Sequence, residues 1–126
     1  MGATQLPQPG PELRLFEQWM DTTKWLMART QRFPKRLRHS LSTRIENLAL
    51  GILEEVTTAA YRRNKKSLLM RTDEKLGKLK VLMRLSHELQ LLSHGQYEEI
   101  ALRLSESGRM LGGWLRTEGA KTPGQL

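Results

Sequence analysis

Residues 34–66 read PKRLRHSLSTRIENLALGILEEVTTAAYRRNKK, and the spacing of their apolar side chains decides the fold class. Leu37, Leu41, Ile45, Leu48, Ile52, Val56 and Ala59 recur in steps of three and four, which keeps them on one face of a helix. That face has to be buried against other elements. Both ends of the stretch carry charge of one sign: Lys35, Arg36, Arg38 and Arg44 before the middle, Arg62, Arg63, Lys65 and Lys66 after it. The stretch therefore predicts one long helix offering a core contact and two basic patches. Gly51 inside it costs up to about 1 kcal/mol relative to alanine, which predicts a close helix crossing there.

The preceding segment predicts a first helix over residues 11–32. Leu13, Phe16, Met20, Thr23, Met27 and Thr30 follow a heptad-like spacing, with Trp19, Leu26 and Phe33 on an adjacent stripe. Pro11 suits a first-turn position, where its missing N–H needs no partner, and Glu12 complements the helix dipole. Phe33-Pro34 ends the helix, because the residue before proline is pushed out of the helical region. Residues 1–11 hold three prolines and two glycines with few apolar groups, and the first ten precede the helix. They predict a flexible lead.

On the other side, Ser67, or Thr72 as an alternative, is the expected start of a third helix ending near His94. Leu69, Leu76, Leu79, Met83 and Ser86 form its buried face, and Leu82, Leu85, Leu89 and Leu92 widen that face toward its end. The extra width predicts either a contact with another subunit or a helix lying deeper in the core. His94-Gly95 reads as a helix C-cap. A fourth helix follows, with a seam of Tyr97, Ala101, Leu104, Gly108, Leu111 and Leu115 and with Ile100 and Trp114 alongside. Gly108, Gly112 and Gly113 are costly in a helix unless a neighbour packs closely. After Arg116 a frayed tail is expected over residues 117–126. The sum is one domain at residues 11–116, an all-α, antiparallel up-down-up-down four-helix bundle.

Chemistry is sparse in this chain. It has no cysteine, which excludes disulfides, thiolate metal sites and cysteine nucleophiles. His39, His87 and His94 fall in separate contexts, without metal-ligand spacing. Glu54-Glu55 and Glu98-Glu99 are adjacent pairs that diverge by about 100 degrees on a helix, so neither makes a shared acid-base site, and solvated faces are expected for them. No nucleophile elbow, phosphate-cradling glycine loop or dinucleotide fingerprint occurs. A non-enzymatic protein with no cofactor and no metal is the expectation. No apolar run long enough to span a bilayer and no signal peptide is present, which predicts a cytoplasmic protein.

Charge is the more informative signal. Twenty-one Lys and Arg against 13 Asp and Glu give +8, and the excess is local. Residues 29–44 hold six basic and no acidic residues, and residues 62–84 hold nine basic against two acidic. Arg71, Lys75 and Lys78 form one stripe along the third helix, and Lys80 and Arg84 form a second. Such a distribution predicts binding of RNA and DNA through backbone phosphates rather than base edges. No helix-turn-helix, zinc finger or RNA-recognition motif is visible, so strong sequence preference is not expected.

Three features together resemble a known family. Phe33-Pro34-Lys35 opens the second helix, an Ala-rich segment closes it at residues 57–61, and Ser107-Gly108-Arg109-Met110-Leu111-Gly112-Gly113-Trp114-Leu115 marks the fourth. Over about residues 12–116 the chain is similar to the accessory variability determinant (Avd) proteins of diversity-generating retroelements. A related group, encoded in intervening sequences of bacterial ribosomal RNA genes, shares the fold and the Phe-Pro-Lys start. The first resemblance implies a ring-shaped homopentamer that binds the retroelement reverse transcriptase and its template nucleic acid to support mutagenic cDNA synthesis and retrohoming. The second implies a structural or RNA-binding bundle. Either way the expected binding residues are Arg36, Arg38, Arg62, Arg63, Lys65 and Lys66, then Arg71, Lys75, Lys78, Lys80 and Arg84.

Overall fold

Phe33 is buried and Pro34 takes an extended backbone (φ −54°, ψ 144°), so the chain breaks where the sequence places the break. A computed structural model describes residues 10–120. Helix α1 spans Pro11–Thr30, α2 Thr43–Tyr61, α3 Lys66–Glu88 and α4 His94–Ala120. These four α-helices and two short helical turns account for all regular structure among the described residues, which contain no strand. Successive helices pack on one another and α1 packs on α4, closing an all-α four-helix bundle around one core. The expected lead falls outside the described residues except at Gly10, as do the last six residues of the expected tail.

The long second helix is shorter and less regular than its periodicity predicts. After Pro34 the chain makes a 3-10 turn at Lys35–Leu37 and a π turn at Arg38–Ser42 before α2 begins. The Thr43 hydroxyl donates to the Arg38 carbonyl five residues back, at 2.5 Å, which caps the widened turn. Pro34 itself has extended backbone and holds Phe33 out of the helical region, so helical structure starts only at Lys35. Most of the expected seam survives, because Leu41, Ile45, Ile52, Val56 and Ala59 are buried, whereas Leu37 and Leu48 are half-buried and Ala49 joins the core instead. At its other end α2 stops at Tyr61, where Arg62 turns extended, five residues short of the expected limit.

Two faces differ from expectation. On α1 the core side is Leu15, Trp19, Thr22, Thr23, Leu26 and Thr30, whereas Leu13 is 46% exposed and Met27 39%. The core takes Trp19 and Leu26 from the stripe expected to flank it and Thr23 and Thr30 from the stripe expected to form it. Trp19 decides this, since its indole is completely buried and donates to the Ala49 carbonyl at 2.9 Å. Thr22 and Thr30 are tolerated inside because their hydroxyls donate to the Gln18 carbonyl and to Glu46. On α4 the core runs Ile100, Leu104, Ser107, Leu111 and Trp114, so Tyr97, Ala101 and Leu115 flank the seam.

The turn from α3 to α4 also departs from the glycine reading. Helix α3 ends at Glu88, Gln90 takes the left-handed conformation at φ 63°, and Gly95 lies in the first turn of α4. Ser93 starts α4 reciprocally: its backbone N–H donates to Gln96 Oε1 at 3.0 Å and its Oγ accepts from the Gln96 N–H at 3.1 Å. This is a capping box, strong enough to override the glycine signal two residues later. Helix α4 continues to Ala120, four residues past Arg116. Gly51 faces the Lys75 side chain rather than a backbone, and Gly112 and Gly113 meet only Arg116 of their own helix. The expected close crossings at these glycines are therefore absent within one chain.

Candidate nucleic-acid interface

The expected binding residues separate into groups once their surroundings are known. Arg36 and Arg38 are exposed in the turns that precede α2, and Arg62, Arg63 and Lys66 are exposed just beyond it. The 19 residues of α2 lie between the two sets, a separation of about 28 Å at 1.5 Å per residue. On α3, Arg71, Lys78 and Lys80 are exposed as well. Arg71 donates to Ser67 Oγ at 3.4 Å, an exposed contact that phosphate can displace.

Two members of the set have other duties. Lys75 is half-buried and pairs with Glu55, which also accepts from the Thr72 hydroxyl at 2.7 Å. This triad ties α3 to α2 and overturns the expectation that Glu55 lies on a solvated face. Lys65 is only 8% exposed, with its ammonium 5.1 Å from the centre of the Trp114 ring. Arg84 is exposed and paired with Glu88 at 2.8 Å. The hydrogen bond to Glu88, then its charge, raises the Arg84 pKa above its ordinary value, so the guanidinium keeps its charge while sharing it with a carboxylate.

Sequence spacing also hid two clusters. Around Lys65, at the start of α1 and the end of α4, a recess of about 430 Å³ is lined by Arg14, Arg109, Met110, Gly113 and Trp114 among others. Trp114 was legible as an apolar residue beside the fourth seam, but nothing in the spacing linked it to Lys65. At the α3–α4 turn His87 stacks on Tyr97 with ring centroids 4.4 Å apart and lies 5.7 Å from the His94 ring. His94 Nε2 in turn lies 3.2 Å from Glu98. The two histidines therefore share one context, contrary to expectation. Among the described residues no three His, Asp or Glu side chains converge on a metal-sized site, and no helix is long and apolar enough to cross a membrane.

The surface thus presents cations at both ends of α2 and along α3, most of them without a carboxylate partner among the described residues. Such cations offer charge to an extended polyanion, and the His94–Glu98 contact lies on the exposed surface. A family model described as bAvd-like matches residues 14–118, all four helices included. No curated protein matches the chain.

Proposed function

We propose, for a chain that belongs to the bAvd-like family, the role of a non-enzymatic accessory protein in a diversity-generating retroelement. On this reading it works in the cytoplasm, binding the reverse transcriptase and its template RNA or cDNA through the basic surface. The observation that carries the reading is the exposure of Arg36, Arg38, Arg62, Arg63 and Lys66 at opposite ends of α2. Cations spaced so widely suit an extended polyanion or a large acidic surface better than a small ligand. Holding polymerase and template together raises their effective concentration without any reacting group.

The same reading includes an antiparallel arrangement and a homopentamer. The pairings Gly51 with Lys75 and Glu55 with Thr72, like Lys65 with Trp114 and His87 with Tyr97, advance on one helix as they retreat on the other. This supports alternating helix directions. Exposed Val81, Leu85 and Leu89 on the α3 shoulder support assembly. Val81 also lines a groove between α2 and α3, together with Leu48, Leu82 and the basic side chains of Arg44, Lys75 and Lys78. Apolar groups of this size in one region favour burial against a second copy.

The test is co-purification with the cognate reverse transcriptase, followed by template-primed cDNA synthesis. Wild type binds and supports synthesis, and a variant with Arg36, Arg38, Arg62 and Arg63 all replaced by Glu does neither. Equal behaviour of the two proteins removes these arginines from the interface. A wild type that neither binds nor stimulates the enzyme overturns the accessory role and favours the ribosomal-RNA-associated alternative.

A further inference from the structure

Lys65 is more than nine-tenths buried, yet none of the ion pairs formed among the described residues includes it. The stem of the side chain is covered while the ammonium keeps contact with solvent in the recess, 5.1 Å from the centre of the Trp114 ring. The side chain lines the recess at the end of the bundle, where Arg109 of α4 is exposed beside it. Two carboxylates also line this recess. Glu12 folds back so that Oε1 lies 2.6 Å from where a Cβ on Gly10 would stand, at the start of α1. Glu118, like Arg14, already engages another group. Lys65 and Arg109 remain as cations suited to an incoming anion, and Arg62, Arg63 and Lys66 are close in sequence and exposed.

We infer that this recess is a binding site for a nucleotide phosphate monoester, with Lys65 as its principal cation. The inference rests on the nucleic-acid reading above and deepens it. A recess of about 430 Å³ is of the size that holds small ligands. A phosphodiester inside a strand carries one charge and brings a nucleotide on either side, so it cannot sink to a recessed ammonium. A terminal monoester enters alone and carries about −1.5 to −2 at neutral pH. Burial of most of the Lys65 side chain restricts its rotamers, which lowers the entropy lost when the ammonium engages phosphate. Two sources share this chemistry, a free nucleotide and the phosphorylated end of a strand.

The experiment uses the full chain labelled with fluorotryptophan, whose three indoles are Trp19, Trp25 and Trp114. Fluorine resonances are followed on addition of AMP, inorganic phosphate, or one single-stranded oligonucleotide prepared with and without a 5′-phosphate. The phosphorylated strand binds more tightly by on the order of tenfold, the gain expected of one charge-assisted contact. It shifts the Trp114 resonance and leaves core Trp19 still. AMP produces the same shift and competes with the phosphorylated end, which identifies one site for both sources. Lys65→Met, which removes the charge and keeps a flexible side chain of similar length, abolishes the preference and the shift, whereas Lys66→Met retains both. The wild-type comparison needs no variant to fold. If both strands bind equally in a salt-dependent way and nothing moves Trp114, the recess assignment is overturned and the nucleic-acid surface stands. If AMP moves Trp114 but neither strand binds, the recess is a free-nucleotide site and the nucleic-acid reading falls.

Discussion

The Trp19 indole of α1 donates its N–H to the Ala49 carbonyl of α2 at 2.9 Å, both residues being inaccessible to solvent. This bond fixes the rotation of α1 about its axis. With the indole directed into α2, Leu15, Leu26 and Thr30 turn inward with it and Leu13 and Met27 face out.

Trp19→Phe leaves a void and removes the donor, though the Ala49 carbonyl stays within a helix. The expected loss is about 2–3 kcal/mol, read as a lower urea midpoint at unchanged slope. A variant as stable as wild type shows that apolar packing alone sets the rotation of α1.

The rotation also explains why fold class was legible and the face of α1 was not. Helices announce themselves by period, and the periods of 34–66 and of the last helix sufficed to identify a bundle. On α1, however, two stripes have similar spacing, and the buried face draws Trp19 and Leu26 from one, Thr23 and Thr30 from the other, and Thr22 from neither. The Thr30 hydroxyl reaches Glu46 of α2, which only the folded chain supplies, the Thr22 hydroxyl donates to the Gln18 carbonyl one turn back, and the Thr23 hydroxyl is buried without a partner among the described residues. The candidate interface divides in the same way. Which residues are basic was plain, but Lys65 is recessed by a tryptophan 49 positions away and Lys75 is held by Glu55, 20 residues back. Neither separation leaves a trace in local spacing.

Lys75 and Lys78 should therefore behave oppositely although they share one stripe. Lys75→Met removes a partner from Glu55, whose side chain is 15% exposed, and costs about 1–2 kcal/mol of stability. It leaves the salt dependence of nucleic-acid binding unchanged. Lys78→Met, at an exposed position, has the reverse pattern. Urea unfolding and a salt titration of oligonucleotide affinity on both variants check this. A salt slope that falls with Lys75→Met would return that lysine to the interface.

Replacing Arg62, Arg63 and Lys66 together by Gln should spare the fold, since all three are exposed beyond the last turn of α2 or at the first position of α3. Every phosphate that is no longer neutralised by a side chain lowers the slope of log affinity against log salt by about 0.7–0.9. The triple variant should thus show a slope shallower by about 2, with far-ultraviolet circular dichroism unchanged. An unaltered slope moves the interface to the cations before α2 and along α3.

On α3 Val81 is 65% and Leu85 42% exposed, and Leu89, just past the end of the helix, is 48% exposed. Burial of these three against a second copy follows from the pentameric reading, because fully burying one such side chain is favourable by about 1.5–3 kcal/mol. A charge placed at the centre of such an interface should break it without disturbing the core, to which Val81 and Leu85 do not belong. Val81→Asp with Leu85→Asp is expected to sediment as single chains of 14.5 kDa and to keep its helical signal, while wild type sediments at five times that mass. Wild type running as one chain overturns the ring. A variant still assembled puts the interface elsewhere, and the half-buried Gly112 and Gly113 of α4, which only their own Arg116 approaches, are the next face to substitute.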